Sequence, residues 1–412
     1  MIKAVLVFII NIGLSFTAVA QELRLPAEWE KQEKVMLTWF GHERRDSVSC
    51  RVIEALQPHV ALSINFSSEK QKAAAITYIG NFKIDIEKIE FIIDEYIDFF
   101  TRDYIFFVKD QNEKLKVVCF DYSVYGMFPI LTWIPIPLKE KKFGKWDERV
   151  AKNLNLSSIK SEYVFEGGGI EANGSGTFIV IRDMAVQRNP KKTIVEIENE
   201  LQRTLGAKKI IWLEKGLIED KTFHKSGPFH ANYFGGGANM HIDELCRFID
   251  DTTVIFPYIS EADKNKNPVD SINYPMLETN LKILQLATTA QGKRLNIIRV
   301  PVPEVDQLKF TLTLGESDYK RFKDFGLNKG DTIYRVPATS YCNFFVSNNV
   351  VLIPKYWKPG MSDSQKIKDE EVNKIFTQLF PDRKVIQIYT LTINRGGGGI
   401  HCMTHELPSS KK

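Results

Sequence analysis

The stretch NRGGGGIHCMTHE, residues 394–406, sets four consecutive glycines before an Ile-His-Cys triplet, with a second histidine three positions after the cysteine. Glycine costs conformational entropy on folding and offers no side chain to pack. Such a run marks backbone that must bend tightly or let something approach closely. Cys402 also stands apart from the other cysteines. Cys50, Cys119, Cys246 and Cys342 lie in apolar or β-like contexts such as VVCF, LCRF and SYCNF. Those four read as buried small hydrophobes. No pair has CxxC spacing, so a zinc ribbon is unsupported. With five cysteines, at least one thiol is left unpaired in an exported protein.

Working outward, the N-terminus reads MIKAVLVFIINIGLSFTAVAQE. A lysine, a short apolar run and Ala18-Val19-Ala20 form the pattern of a secretory signal peptide over residues 1–20. The run is short for a membrane span, and Asn11 interrupts it. The expectation is cleavage near Ala20, export to the periplasm or medium, and no membrane association afterwards. A hydrophobic content of 43% supports a substantial core. A net charge of +4, without a long Lys/Arg run, argues against nucleic acid as a partner.

No Pro/Ser-rich linker divides the remainder. A short β-like run, a turn and a helical pattern recur four or five times without clear sequence repeats. VMLTWF, KIEFIID, GTFIVIRDMAV, KKIIWLEKG, RLNIIRVPVP and KVIQIYTLTI read as strands. DYIFFVKDQNEKLKVVCF and YCNFFVSNNVVLIPKY read as hairpins turning at 110–112 and 347–349. SSEKQKAAAITYIGNF, KKFGKWDERVAKNLN, PKKTIVEIENELQRTLG, MLETNLKILQLATTAQGK and SQKIKDEEVNKIFTQLF read as helices, the third stopped by Gly206. The class is α/β or α+β with internal structural repetition.

Four segments bring unusual polar residues beside apolar strands: Arg102-Asp103, Glu166 with GGGIEANGSG, His241-Ile242-Asp243, and His401-Cys402 with His405-Glu406. Asp103 taken alone is equally at home paired with Arg102. On a strand, His241 and Asp243 would share one face. GGGIEANGSG fits neither a P-loop nor a dinucleotide fingerprint. Cys402 needs a base or a cationic substrate to become a thiolate. A thiolate with two carboxylates would select a cation, and a guanidinium fork suits carboxylates. A cysteine protease is the rival reading of the same residues.

Together, LPAEWEKQEKVMLTWF (25–40), TRDY (101–104), EGGGIEANGSGTF (166–178), HIDELCRFI (241–249), SYCNFFVSNNVVLIP (340–354), FPDRKV (380–385) and GGGGIHCMTHELP (396–408) follow in one family's order. The chain resembles the agmatine deiminase and bacterial (Porphyromonas-type) peptidylarginine deiminase family, in the guanidine-modifying (pentein) superfamily. The resemblance implies one domain over 21–412, an α/β fold built as a five-bladed α/β propeller of ββαβ-type repeats around a central pocket. It implies Cys402 as nucleophile, His241 as general acid/base, and Asp103 and Asp243 as guanidinium-binding carboxylates. It places Glu166, Arg102, Gly398 and Gly399 around the substrate. It implies a covalent thiouronium intermediate, a ureido product, and no metal or organic cofactor.

Three departures qualify the resemblance. The family's Trp-x-Arg-Asp-x-Gly-Pro reads Phe99-Phe100-Thr101-Arg102-Asp103-Tyr104-Ile105-Phe106 here, which alters the pocket wall. Residues 221–240 read as an inserted loop bearing His224 and His230, more in keeping with solvated loop than with a metal site. The sequence after Cys402 reads Met-Thr-His-Glu where agmatine enzymes read Thr-Gln-Gln. With the signal peptide, this ranks peptidyl-arginine ahead of agmatine as substrate. A silent guanidinium-binding member is the third reading.

Overall fold

The computed structural model describes residues 22–95, 99–126, 145–222 and 226–410. Residues 1–20, read as a signal peptide, and His224 lie outside them. Among the described residues, the strands form six sheets, and five share one internal pattern. An antiparallel pair comes first, then a helix crosses over and a third strand joins in parallel. Phe106–Asp110, Leu115–Asp121 and Ser157–Val164 form one such unit. Ile170–Ala172, Thr177–Ile181 and Lys209–Leu213 form the second. Arg247–Phe248, Thr253–Tyr258 and Asn296–Pro301 form the third. Phe345–Ser347, Val350–Lys355 and Lys384–Tyr389 form the fourth.

The fifth unit joins the two ends of the chain. Thr404–Pro408 pairs antiparallel with Gln32–Thr38, and Ala61–Phe66 and Ile89–Ile93 follow in parallel. The middle strands are apolar on both faces, as parallel strands covered by helices require. In Thr177–Ile181 every residue is buried.

Local chemistry fixes the helix ends. Thr193 caps Ile194–Leu205 through a reciprocal capping box with Glu196, and Gly206 ends it in the left-handed region at φ 74°. The helix expected over 276–293 runs instead from Pro268 to Leu286. Asn267 accepts from the Asp270 amide at 3.0 Å, and Pro268 suits the first turn, so the chain enters the helix earlier than its apolar periodicity suggested. The strand read through GTFIVIRDMAV stops at Ile181, and Arg182–Arg188 is helical. Residues 391–393, read as the end of a strand, lie in the helical turn Leu391–Asn394.

The segment read as an inserted loop contributes to the sixth sheet. Tyr233–Phe234 pairs in parallel with Thr332–Arg335, which pairs antiparallel with Phe310–Thr313. Its following glycines pack tightly: a Cβ on Gly237 would stand 2.0 Å from Asp220 Oδ1.

Gly206 offers a direct test of these packing demands. A Cβ there would lie 1.8 Å from the Leu23 carbonyl oxygen in a conformation that L-residues disfavour. Gly206→Ala is expected to destabilise the fold by at least about 1 kcal/mol in denaturant titration; an unchanged midpoint would refute the close approach.

Candidate active site

The five repeated units place their chemistry in the same way. Immediately before its first strand, each presents a short turn at one site. Thr101–Tyr104 carries Asp103, Gly167–Gly169 follows Glu166, and Ile242–Glu244 carries Asp243 and follows His241. The fourth unit offers Asn343, and the short helix Ile400–Met403 carries His401 and Cys402. His241 and Asp243 thus share the site from a turn, not from the strand face their alternation suggested.

Cys402 is 2% exposed. Its Sγ lies 3.4 Å from Asp243 Oδ2, 4.0 Å from Glu244 Oε1 and 3.1 Å from Asn343 Nδ2. The Asn343 amide also donates toward Asp243 Oδ2 at 3.2 Å and Glu244 Oε1 at 2.9 Å. Its Oδ1 accepts the His401 backbone N–H at 2.9 Å. The glycine run accommodates this packing. A Cβ on Gly398 would stand 2.9 Å from Cys402 Sγ, and one on Gly399 would stand 2.5 Å from Asn343 Oδ1.

His241 is fully buried opposite. Its Nδ1 lies 3.7 Å from Asp103 Oδ1 and 4.0 Å from Asp243 Oδ1, and its Nε2 lies 3.6 Å from Glu166 Oε2. Asp220 holds the backbone here, accepting the His241 N–H at 2.7 Å. Asp103 is fixed by the Gly168 N–H at 3.0 Å and by the Tyr125 hydroxyl at 3.1 Å. The Tyr125 ring lies 5.7 Å from the His241 ring. Glu166 is paired with Arg188, whose Nε lies 3.0 Å from both carboxylate oxygens. Both ring nitrogens of His241, Asp243 Oδ1 and Glu244 Oε2 are buried without a hydrogen-bond partner among the described residues. Buried polar atoms are normally satisfied, so these mark where a polar guest would bind.

Burial works against charge on His241, but Asp103, Glu166 and Asp243 outweigh it and raise its pKa to about 9. Burial lifts Asp103 to about 6. Burial also opposes charge on Asp243, yet the hydrogen bond and charge of His401 hold it below the usual carboxylate range. The Cys402 thiol is pushed well above its ordinary value by burial, then by Asp243, Glu244 and Asp103. A positive guest would reverse that shift. Asp243, Glu244 and Cys402 have the donor types of a metal site, with ligand atoms within 4.8 Å of one another. In this structure the Asn343 amide links all three.

The structure therefore brings Cys402, His241, Asp103, Asp243 and Glu166 together, with Gly398 and Gly399 against the nucleophile and Asn343. Arg102 is engaged elsewhere, which corrects its expected place at the substrate. Its guanidinium pairs with Glu406 at 2.7 Å and Glu28 at 3.3 Å, and its Nε lies 3.4 Å from the His401 carbonyl. His405 is occupied with the Ile105 carbonyl at 2.9 Å. Of the altered wall, Tyr104 and Ile105 pack into a core cluster with Phe107 and Trp146. His230 is exposed and pairs with Tyr233. Asn343, Glu244, Glu28 and Arg188 went unmarked in the sequence, and His401 was marked only as the neighbour of Cys402. Asn343 alone had a usable signal: like Asp103 and Asp243, it sits just before an apolar hairpin.

A buried thiol, a histidine and a ring of carboxylates on this fold define a hydrolase acting on the C–N bonds of amidines. The family model for the Porphyromonas-type peptidyl-arginine deiminase matches residues 24–408, and the chain belongs to that family. It is similar to an agmatine deiminase of Pseudomonas aeruginosa (strain UCBPP-PA14), 26% identical over 95% of this chain and 97% of the relative. Its fold matches the agmatine deiminase of Enterococcus faecalis with a TM-score of 0.73 at 21% identity, covering 94% of this chain and 96% of that one. A substrate-bound agmatine deiminase of C. jejuni matches with a TM-score of 0.69 at 19% identity, over 94% and 96% of the two chains.

The two shifted groups bracket the working range. Asp103 is anionic above about 6, and His241 keeps its proton below about 9. The kcat/KM profile is expected to fall on the acid side as Asp103 protonates and on the alkaline side as His241 loses its proton. Glu166→Gln removes one support of the imidazolium, so the alkaline limb should move to lower pH; a profile that stays in place would remove Glu166 from that role.

Proposed function

We propose that the chain deiminates a small alkylguanidinium, with agmatine as the leading substrate and N-carbamoylputrescine as the product. The observation that carries this reading is the buried cluster of Cys402, His241, Asp103 and Asp243, with Asp243 Oδ1 and both His241 nitrogens unpartnered among the described residues. The five repeated sheets support a closed five-bladed propeller around it. Matches to proteins named agmatine deiminases over nearly the full length support agmatine, which reverses the order suggested by the sequence after Cys402. Peptidyl-arginine is the second reading, favoured by the description of the matching family.

The chemistry follows from the charges. A guanidinium held by Asp103 and Asp243 offsets the negative charge that keeps the Cys402 thiol protonated, and the thiol loses its proton to solvent. The thiolate attacks the guanidinium carbon and forms a C–S bond. His241 transfers its proton to the departing nitrogen, the C–N bond breaks and ammonia leaves. The S-alkylthiouronium is then attacked by water, which gives one proton to His241. The C–S bond breaks, the remaining hydroxyl proton passes to the leaving thiolate, and the ureido product forms. Export remains part of the proposal on the strength of the N-terminal pattern alone.

A colorimetric ureido assay on agmatine, free arginine and an arginine-containing peptide, run in parallel, tests the reading. Product from agmatine is expected, and Cys402→Ala should abolish it while leaving the circular dichroism spectrum unchanged. Product from the peptide alone would establish the second reading. No product from any of the three would overturn both.

A further inference from the structure

Behind Cys402 lies a second cluster of charges that the reaction above does not use. A cavity of about 50 Å³ is lined by Glu28, Arg102, Glu171, Arg247, His401 and Glu406. Glu28 comes from the LPAEWE segment at the start of the described chain. Its carboxylate lies 3.3 Å from Arg102, 3.0 Å from Arg247 and 2.8 Å from His401 Nε2, and it also accepts the Val346 N–H at 2.7 Å. The other nitrogen of His401, Nδ1, lies 2.8 Å from Asp243 Oδ2. His401 thus spans two buried carboxylates, one facing the nucleophile and the other facing two arginines.

We propose that His401 and Glu28 are positioning residues for Asp243. The bridge Glu28–His401–Asp243 ties the guanidinium-binding carboxylate to Arg102 and Arg247 and so fixes its charge and the direction of its free oxygen. This rests on the reading of the Cys402 pocket as a guanidinium site.

Three observations support the bridge. Each imidazole nitrogen makes a contact of hydrogen-bond length with a carboxylate, and Arg102 and Arg247 lie beside the outer one. The bridge also consumes Asp243 Oδ2 and leaves Oδ1 as the oxygen with no partner among the described residues. Finally, His241 and Arg247 also favour the ionised form of Asp243, but both rank behind His401. His401 supplies both the hydrogen bond and the leading favourable charge. Glu171, Glu406 and His405 complete the ring around the cavity: Glu171 contacts Arg247, Glu406 contacts Arg102, and His405 lies 3.5 Å from Glu406.

The test reads the charge of Asp243 without requiring turnover. 2-Chloroacetamidine, a cation, and neutral 2-chloroacetamide are compared as alkylating agents of Cys402, located by peptide mass spectrometry, in the full chain from about pH 5 to about pH 8. In the wild type the cation should react faster, with a ratio that holds until Asp103 takes up its proton near pH 6. In His401→Gln the ratio should fall by about tenfold, the effect of one unit in the ionisation of Asp243, and its decline should begin at higher pH. Glu28→Gln should shift the ratio in the same direction by less, and it serves alone if His401→Gln fails to fold. Ratios and pH profiles equal to the wild type in both variants would overturn the proposal. So would an equal slowing of both reagents at every pH, which is the signature of a merely structural role. A wild type with no preference for the cation would remove the anionic pocket and this inference with it. An intact preference in a chain that turns over no guanidinium would sink the enzymatic reading alone.

Discussion

Burying acids around a thiol is the constraint on which this interior depends. An unpaired buried carboxylate is too costly to stay ionised, so it either finds a cation or takes up a proton. Both outcomes occur within one cluster. Burial raises Glu171, Glu219 and Asp220 to about 7 and Glu244 well above its ordinary value. Asp243 and Glu28 are equally buried, yet His401 and the arginines hold them below theirs. Negative charge is thereby concentrated on a few oxygens beside Cys402, while the surrounding acids are held closer to neutral. Glu166 is kept ionised in the same way, by Arg188 and His241, and it lends its charge to His241.

The repeated architecture makes this concentration possible. A single sheet could not aim five polar turns at one point without exposing its own backbone. Five units, each with its turn at the head of its first strand, bring residues from positions 103 to 402 within hydrogen-bond reach while every strand stays paired. The antiparallel pairing of Thr404–Pro408 with Gln32–Thr38 ties the last unit to the start of the chain. That contact carries Glu28 to the back of the site, where the N-terminal segment meets the Cys402 helix.

The local layer of this organisation was legible in the sequence. The hairpin at Phe106–Asp121, the helix ending at Gly206 and the glycines before Cys402 announce themselves through turn chemistry and periodicity that depend on near neighbours. Asp103, His241 and Asp243 stood out as charges beside apolar strands. What stayed hidden depends on distance along the chain. Asn343 lies in an unremarkable apolar hairpin, and its role exists only because Asp243, Glu244 and Cys402 converge on its amide. The resemblance placed Arg102 at the substrate beside Asp103, but successive residues of a turn point apart, and it serves Glu28 and Glu406. The strand misread as running on to Val186 failed for a related reason. That segment turns helical at Ile181, and its Arg188 reaches Glu166, 22 residues earlier.

The same electrostatics give the proposed reaction a direction. Burial and the surrounding carboxylates hold the thiol protonated, so it is poorly nucleophilic toward neutral compounds and toward oxidants alike. A guanidinium brings the charge that releases it, which makes the substrate part of its own activation. The thiouronium intermediate keeps a positive charge and stays gripped by Asp103 and Asp243 until water arrives. The ureido group that replaces the guanidinium is neutral. Once it forms, nothing offsets the carboxylates around Cys402, the thiol takes its proton back, and the attraction that held the substrate is gone. A pocket built to repel its own nucleophile's charge therefore binds what it can convert and releases what it has made.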